Sequence, residues 1–405
     1  MPNSDPEQEE MRICVLPYYS YLCPRLENEI SALIKSGFDV DIYMWDRNDS
    51  LESSDSEYNI IPVDQSAPDR IDRNRFFSML FIPLYYIKLY RNLDIDKYDL
   101  VLCPHPFLLP FSQLVVDQKP IVYDSREMYS VKLSEIARGL FGTVLKKAFL
   151  TIENSLVKRT DCVFTVDSAN DKLIDRYRSL NSNSIVLYNV PQDDIIISDS
   201  RREELEDEFE NQKIIVYVGG ISRSKGGIRM VKALDGVTKE YDAKLLLIGH
   251  FVDSEDEIRK LISEKNLESH TELLGRVPYK EMMCYLSVSD IGLALHQPTT
   301  YYREYPSTGT GRKFFTYMQA SLPVVGPEFS EVGEVVRETD CGLLVDSTDT
   351  DSVVTGIKYL LNHPKERTKM GQDGRKAIVQ KYNWQQEQQK FVTIVSDLID
   401  KDSDD

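Results

Sequence analysis

The feature that most constrains this chain is an alternation that runs twice along it. Short runs of apolar, largely β-branched residues alternate with longer segments of helical period. That is the pattern of βαβ units, whose strands are buried on both faces of a parallel sheet. The first series predicts strands at 12–17 (RICVLP), 39–45, 99–104, 120–124, 162–166 and 184–189, with helices such as Arg25–Ser36 and Phe141–Lys158 between them. The rhythm restarts at 213–220 (KIIVYVGG) and continues at 243–250, 271–277, 290–296, 322–327 and 341–346. At 405 residues the chain is longer than one hydrophobic core usually supports. The expectation is an α/β protein of two doubly wound, Rossmann-like domains, with the ligand site in the cleft where the C-terminal ends of their strands face each other.

The break between the two series sets the boundaries. Residues 1–192 form the first domain, with no order expected for the acidic segment 1–10. Residues 193–212 are acidic, lack a clear core face and read as a linker with a short solvated helix. The second domain spans 213–380, and 381–405 is expected as a C-terminal helix that returns to the first domain, with an acidic tail.

Composition narrows the function classes. The chain is 41% apolar and 28% charged, as expected of a folded globular protein. Its net charge of -18 argues against a nucleic-acid footprint, which needs a basic face. A nucleotide stays compatible, because a few cations and a helix N-terminus suffice for a diphosphate. The six cysteines form no C-x-x-C pair and the five histidines are scattered, so no metal site is expected and the thiols read as buried and free. The polar N-terminus is no secretory signal, and no apolar run reaches the length of a membrane span. A cytoplasmic location is expected.

Two glycine steps carry the chemistry. In Gly219-Gly220-Ile221-Ser222-Arg223-Ser224-Lys225-Gly226-Gly227, a strand runs into a bare backbone followed by two cations, a combination that suits a diphosphate. It matches neither a Walker loop nor G-x-G-x-x-G. In Thr308-Gly309-Thr310-Gly311-Arg312-Lys313, a second step opens a helix whose first turn is cationic. Cations there oppose the helix dipole, and a bound anion would relieve the conflict.

The second half resembles the donor domain of the retaining GT-B glycosyltransferases known as family 4, or glycosyl transferases group 1. The resemblance runs from 214 to 384 through VYVGGISRSKGG, LLLIGH, ELLGRVPYKEMMCYLSVSDIGLAL, KFFTYMQASLPVV, CGLLVD and MGQDGRKAIVQKYNW. It implies a nucleotide-sugar substrate whose diphosphate meets Gly219, Gly220, Arg223 and Lys225, and whose base lies against Arg276 and Val277. It also implies donor contacts from Thr308, Gly309, Thr310, Gly311, Lys313 and Thr316. The family's E-x7-E element is altered here, with Thr308 and Thr316 at its two carboxylate positions, and Gly220 stands where many members have arginine. No metal or cofactor is implied, since such folds neutralise the diphosphate with cations and helix ends.

The first half resembles the acceptor domain of a subset of the same family. Cys103-Pro104-His105-Pro106 and Tyr123-Asp124-Ser125-Arg126-Glu127-Met128 match an A-H-D-like step and a Y-D-A-H-E-L-like motif. The resemblance places His105, Arg126 and Glu127 at the catalytic position, with Arg126 replacing a histidine. An arginine is a poor general base, but front-face substitution lets the leaving phosphate accept the proton. Tyr18 and Tyr19, just past the first strand, are candidate acceptor contacts. Arg70 to Arg91 carries Arg70, Arg73, Arg75, Lys88 and Arg91 against Asp72, around an apolar centre. That pattern suits peripheral contact with an anionic membrane.

The reading is a glycosyltransferase moving sugar from a nucleotide-sugar to a glycan or lipid-linked acceptor, with retention. The alternative is a degenerate, non-catalytic subunit of the same fold that binds nucleotide-sugar or glycan and supports an active partner.

Overall fold

The structure is a computed structural model that describes residues 11–18, 22–46, 58–64, 81–137, 139–166, 172–192, 197–299, 302, 311–329 and 331–403. The expectation for residues 1–10 lies outside these. The chain divides into two compact units, Met1–Leu187 with Glu387–Asp405, and Tyr188–Gln386.

In the first unit the order is β1 (Arg12–Val15), α1 (Pro24–Lys35), β2 (Asp39–Asp46), β3 (Asn59–Asp64), α2 (Ile82–Asn92), β4 (Leu100–Cys103), α3 (Leu109–Val115) and β5 (Ile121–Ser125). It continues with α4 (Tyr129–Ala137), α5 (Gly139–Val157), β6 (Cys162–Thr165), α6 (Lys172–Leu180) and β7 (Ser184–Val186). The sheet runs β3-β2-β1-β4-β5-β6-β7, and its paired strands are parallel. Strand order therefore reverses between β1 and β4, the place where such sheets open a ligand crevice.

The sequence pattern missed β3. Its NIIPVD stretch holds Pro62, which a central strand would not accept. As the edge strand of this sheet, β3 has room for a residue that cannot donate.

The second unit holds α7 (Asp199–Glu208), β8 (Lys213–Val218), α8 (Gly227–Val237), β9 (Ala243–Ile248), α9 (Glu255–Glu264), β10 (Thr271–Gly275), α10 (Tyr279–Ser287) and β11 (Ile291–Leu293). Then follow α11 (Gly311–Gln319), β12 (Val324–Pro327), α12 (Glu331–Thr339), β13 (Gly342–Val345), α13 (Thr350–Asn362) and α14 (Pro364–Gln380). Its sheet runs β10-β9-β8-β11-β12-β13, again parallel, and reverses between β8 and β11. The central strands β8, β9 and β12 present apolar residues to two cores, one on each face. Burial on both faces explains why these strands read as continuous apolar runs rather than alternating ones.

The acidic stretch expected as a linker is part of the second unit. Its α7 is charged and largely solvated, but Leu205 and Phe209 are buried in that unit's core and Arg201 pairs with Glu281 at 2.9 Å. One apolar residue in the acidic helix and one just past its end are too few to register as a periodic face. The last helix, α15 (Trp384–Ser403), belongs with the first unit from Glu387 onward, where Phe391 packs on Phe164 with ring centroids 5.4 Å apart.

Candidate functional site

The loop leaving β8 is shaped by glycines pressed together. Gly219 has φ of 120°, and its N–H donates to the Ile248 carbonyl at 2.8 Å. Gly249, after β9, has φ of 145°, and a Cβ there would lie 2.0 Å from the Gly219 carbonyl oxygen. Neither position accepts another residue without moving the loop.

Two ammonium groups flank this backbone. A Cβ added to Gly219 would stand 3.7 Å from Lys313 Nζ, and one added to Gly220 would stand 3.6 Å from Lys225 Nζ. Lys313 comes from the first turn of α11, as the motif predicts. Its Nζ donates to the Tyr217 hydroxyl at 3.0 Å and lies 4.6 Å from that ring's centroid. The Tyr217 hydroxyl donates to the Gly220 carbonyl at 2.8 Å. One turn along α11, Tyr317 accepts the Val218 N–H at 2.8 Å and donates to the Leu293 carbonyl at 3.2 Å. Lys313 and Tyr317 thus stitch α11 to β8 and β11. Burial, with Lys225 adding repulsion, holds the Lys313 ammonium well below the usual lysine range. An anion beside Lys313 would offset both the burial and the repulsion from Lys225.

Other basic groups stand at neighbouring strand ends. His250 follows β9, and Arg276 after β10 donates to its Nδ1 at 3.2 Å. Burial, then Arg276 and Lys225, lowers the His250 pKa. His296, beyond β11, is 1% exposed. Sequence reasoning singled out neither histidine as a site residue. The available signal was position, since each stands directly after an apolar strand run, LLLIGH and DIGLALH.

The remaining donor-side expectations divide. Arg223 is not brought to the glycine pair: its guanidinium pairs with Glu257 of α9 and its backbone N–H donates to Asp253. It lines a separate cavity with Arg229 and Lys232. Val277 is half-buried against the core. Thr316 is 2% exposed on the inner face of α11. Thr308, Gly309 and Thr310 lie outside the described residues, as does the side chain of Arg312, while Gly311 begins α11.

In the first unit, Tyr18 and His105 meet at the β1/β4 reversal. Their rings stack at 4.7 Å, and Phe107 and Tyr129 close around the imidazole. His105 Nδ1 accepts the Phe107 N–H at 3.4 Å, and both Tyr18 and His105 are buried. Arg126 donates to Asp124, to Glu29 at 2.8 Å and to Cys23 Sγ at 2.8 Å. Arg25 shares the same carboxylates at 2.8 Å each and donates to the Leu187 carbonyl at 2.7 Å. Two guanidinium groups and two carboxylates therefore balance inside the unit. Arg126 is fixed in this cluster rather than placed as a proton acceptor. Glu127 is half-buried beside it, and Tyr19 lies outside the described residues.

The family described as glycosyl transferases group 1 matches residues 199–377. A protein of Campylobacter jejuni named N-acetylgalactosamine-N,N'-diacetylbacillosaminyl-diphospho-undecaprenol 4-alpha-N-acetylgalactosaminyltransferase is 24% identical over 329 residues, covering 79% of this chain and 82% of its own. Among solved structures, sucrose-phosphate synthase from Thermosynechococcus elongatus aligns over 97% of this chain and 100% of its own, with a TM-score of 0.76 at 15% identity. Anabaena HepE in complex with UDP-glucose aligns over 96% and 100%, with a TM-score of 0.68 at 14% identity. Two Rossmann-like domains in one chain, with these likenesses, define the class as GT-B glycosyltransferases. Within it, residues 199–377 of the second unit match the model of the glycosyl transferases group 1 family.

Proposed function

We propose that the chain transfers a sugar, with retention of configuration, from a nucleoside-diphosphate-sugar to a glycan or lipid-linked acceptor. The observation that carries this is the pair Lys225 and Lys313 on either side of the Gly219–Gly220 backbone. Fixed cations and bare main chain at strand ends favour the charge that builds on a departing diphosphate. The two lysines neutralise that charge, so transfer proceeds without a divalent metal. The leaving phosphate takes the acceptor's proton, a route that asks no basic side chain of the first unit.

An aligned structure holds UDP-glucose and a relative's name specifies a diphospho-undecaprenol acceptor, which supports this substrate class. We also propose contact with an anionic membrane. Leu84, Ile87, Tyr90, Leu114, Leu140, Phe141, Val144 and Ile152 are eight of the thirteen large apolar side chains exposed among the described residues. They all lie on α2, α3 and α5, with Lys88, Arg91, Lys146 and Lys147 among them. No described helix is long and apolar enough to cross a membrane. Of the basic stretch that suggested this contact, Arg70, Arg73 and Arg75 lie outside the described residues.

The test is thermal melting with UDP, GDP, ADP, dTDP and CMP, beside the Lys225→Ala variant. One nucleoside diphosphate should raise the melting temperature of the wild type and not of the variant. It then names the donor for transfer assays. No shift with any of them at millimolar concentration would overturn the reading.

A further inference from the structure

His296 is placed unlike any other described histidine. The residue is 1% exposed, and among the described residues neither Nδ1 nor Nε2 has a hydrogen-bond partner. Its main chain is pinned, the N–H donating to Ala294 and the carbonyl accepting from Ser347 Oγ at 2.6 Å. The ring has an edge-on neighbour in Tyr302 at 5.1 Å. A buried imidazole with both nitrogens unmet is costly, and the preceding residues Leu293, Ala294 and Leu295 show what packing alone would select.

Its place in the fold says what the ring is for. β8 and β11 are neighbours across the strand-order reversal, and the residues on either side of His296 meet the loop after β8. There the Gln297 N–H donates to the Ser224 carbonyl at 2.8 Å, and a Cβ on Gly226 would strike the Leu295 carbonyl. The charged groups that act on it are Lys313 from α11 and Lys225 from the β8–α8 loop. We infer that His296 is a third group of the diphosphate site, donating a ring N–H to an oxygen of the bound anion. This inference rests on the donor reading above.

A consequence separates this role from packing. Burial, then Lys313 and Lys225, presses the ring toward its neutral form in the free protein. A diphosphate that neutralises both ammonium groups and accepts from the ring removes much of that pressure. Binding then takes up a fraction of a proton near neutral pH, by linkage. Tyr302 and Tyr217 are the nearby hydroxyl-bearing rings, and Tyr217 stays neutral because burial drives its pKa up.

The experiment is calorimetric titration with the nucleoside diphosphate picked by the melting screen, in phosphate-free buffers of different ionisation enthalpy. It uses wild type, His296→Phe and His296→Asn. The phenylalanine variant should fold, since it fills an apolar site without unmet nitrogens, and its own melting curve checks this. It should lose about ten- to a hundredfold in affinity, the size of a hydrogen bond to a charged group. Asparagine should recover part of the affinity. Both variants should lose the ring's share of the wild-type proton uptake, leaving any share that Lys313 contributes. Wild-type affinity with unchanged proton uptake in folded His296→Phe would overturn the inference and leave the donor reading standing. Failure of the wild type to bind any of the nucleotides would overturn both.

Discussion

Lys313 Nζ donates to the Tyr217 hydroxyl at 3.0 Å, and that hydroxyl donates onward to the Gly220 carbonyl at 2.8 Å. A half-buried ammonium is thereby held by a neutral partner that also fixes the glycine loop. This arrangement favours ligand binding over stability of the empty protein. Lys313→Met should leave the ligand-free melting temperature unchanged or raised, because it removes a desolvated charge. The same variant should weaken nucleoside diphosphate binding by about 1.5–3 kcal/mol. Tyr217→Phe should lower stability by about 1 kcal/mol and weaken binding less. Melting with and without ligand separates the two effects.

Thr316 stands where the family resemblance implies a ribose-binding carboxylate, and it is 2% exposed. Thr316→Glu places a carboxylate in that buried position. The expected outcome is a loss of about 1–3 kcal/mol in stability with no gain in donor affinity. A large gain in affinity would instead favour the non-catalytic, eroded form of the fold. Urea unfolding and nucleotide titration read these separately.

The Arg25–Glu29–Asp124–Arg126 cluster makes stability depend on pH in two opposite ways. Burial, then the neighbouring Asp124, raises Glu29 from 4.5 to about 7. Between those values the folded state keeps a proton that the unfolded chain has released, so this group's contribution falls as pH rises from about 4.5 to 7. Asp124 is also pushed up by burial, but Arg25 and Arg126 outweigh it and hold the carboxyl below its ordinary range. Its contribution is present near neutral pH and is lost in acid. Glu29→Gln should flatten the neutral-side slope by at most about 3 kcal/mol and leave the acid limb in place. Denaturant midpoints from pH 4 to pH 8 check this.

The exposed apolar side chains of α5 should matter for lipid and not for folding. Leu140→Ser with Phe141→Ser removes two of the most exposed, at 88% and 65%. Sedimentation with anionic vesicles should fall severalfold, and Lys146→Gln with Lys147→Gln should remove mainly the salt-sensitive part. Equal sedimentation of wild type and variants would refute the membrane contact. A switch from dimer to monomer on the serine changes would assign the face to self-association.

Much of the architecture was legible locally. All twelve strand runs expected from the apolar pattern are strands in the structure. Burial on both faces of a parallel sheet forces uninterrupted apolar segments, and that signal needs no knowledge of neighbours. The strand β3 escaped because Pro62 is tolerable only on an edge, and the expected short helix α7 was read as linker because Leu205 and Phe209 alone tie it to the second unit's core.

The candidate site was legible only as residue types. The sequence by itself determined two glycine steps with cations beside them, and so the kind of ligand they suit. Tertiary structure decided which cations arrive. Lys225 and Lys313, 88 residues apart, meet at Gly219–Gly220, whereas Arg223, two residues from Lys225, turns away to Glu257. The physical reason is sheet order. Strand propensity is set within a few residues, but the adjacency of β8 and β11 comes from packing the whole sheet. That adjacency brings the segment around His296 against the loop after β8, at Ser224 and Gly226, with a buried ring whose two nitrogens no described residue satisfies.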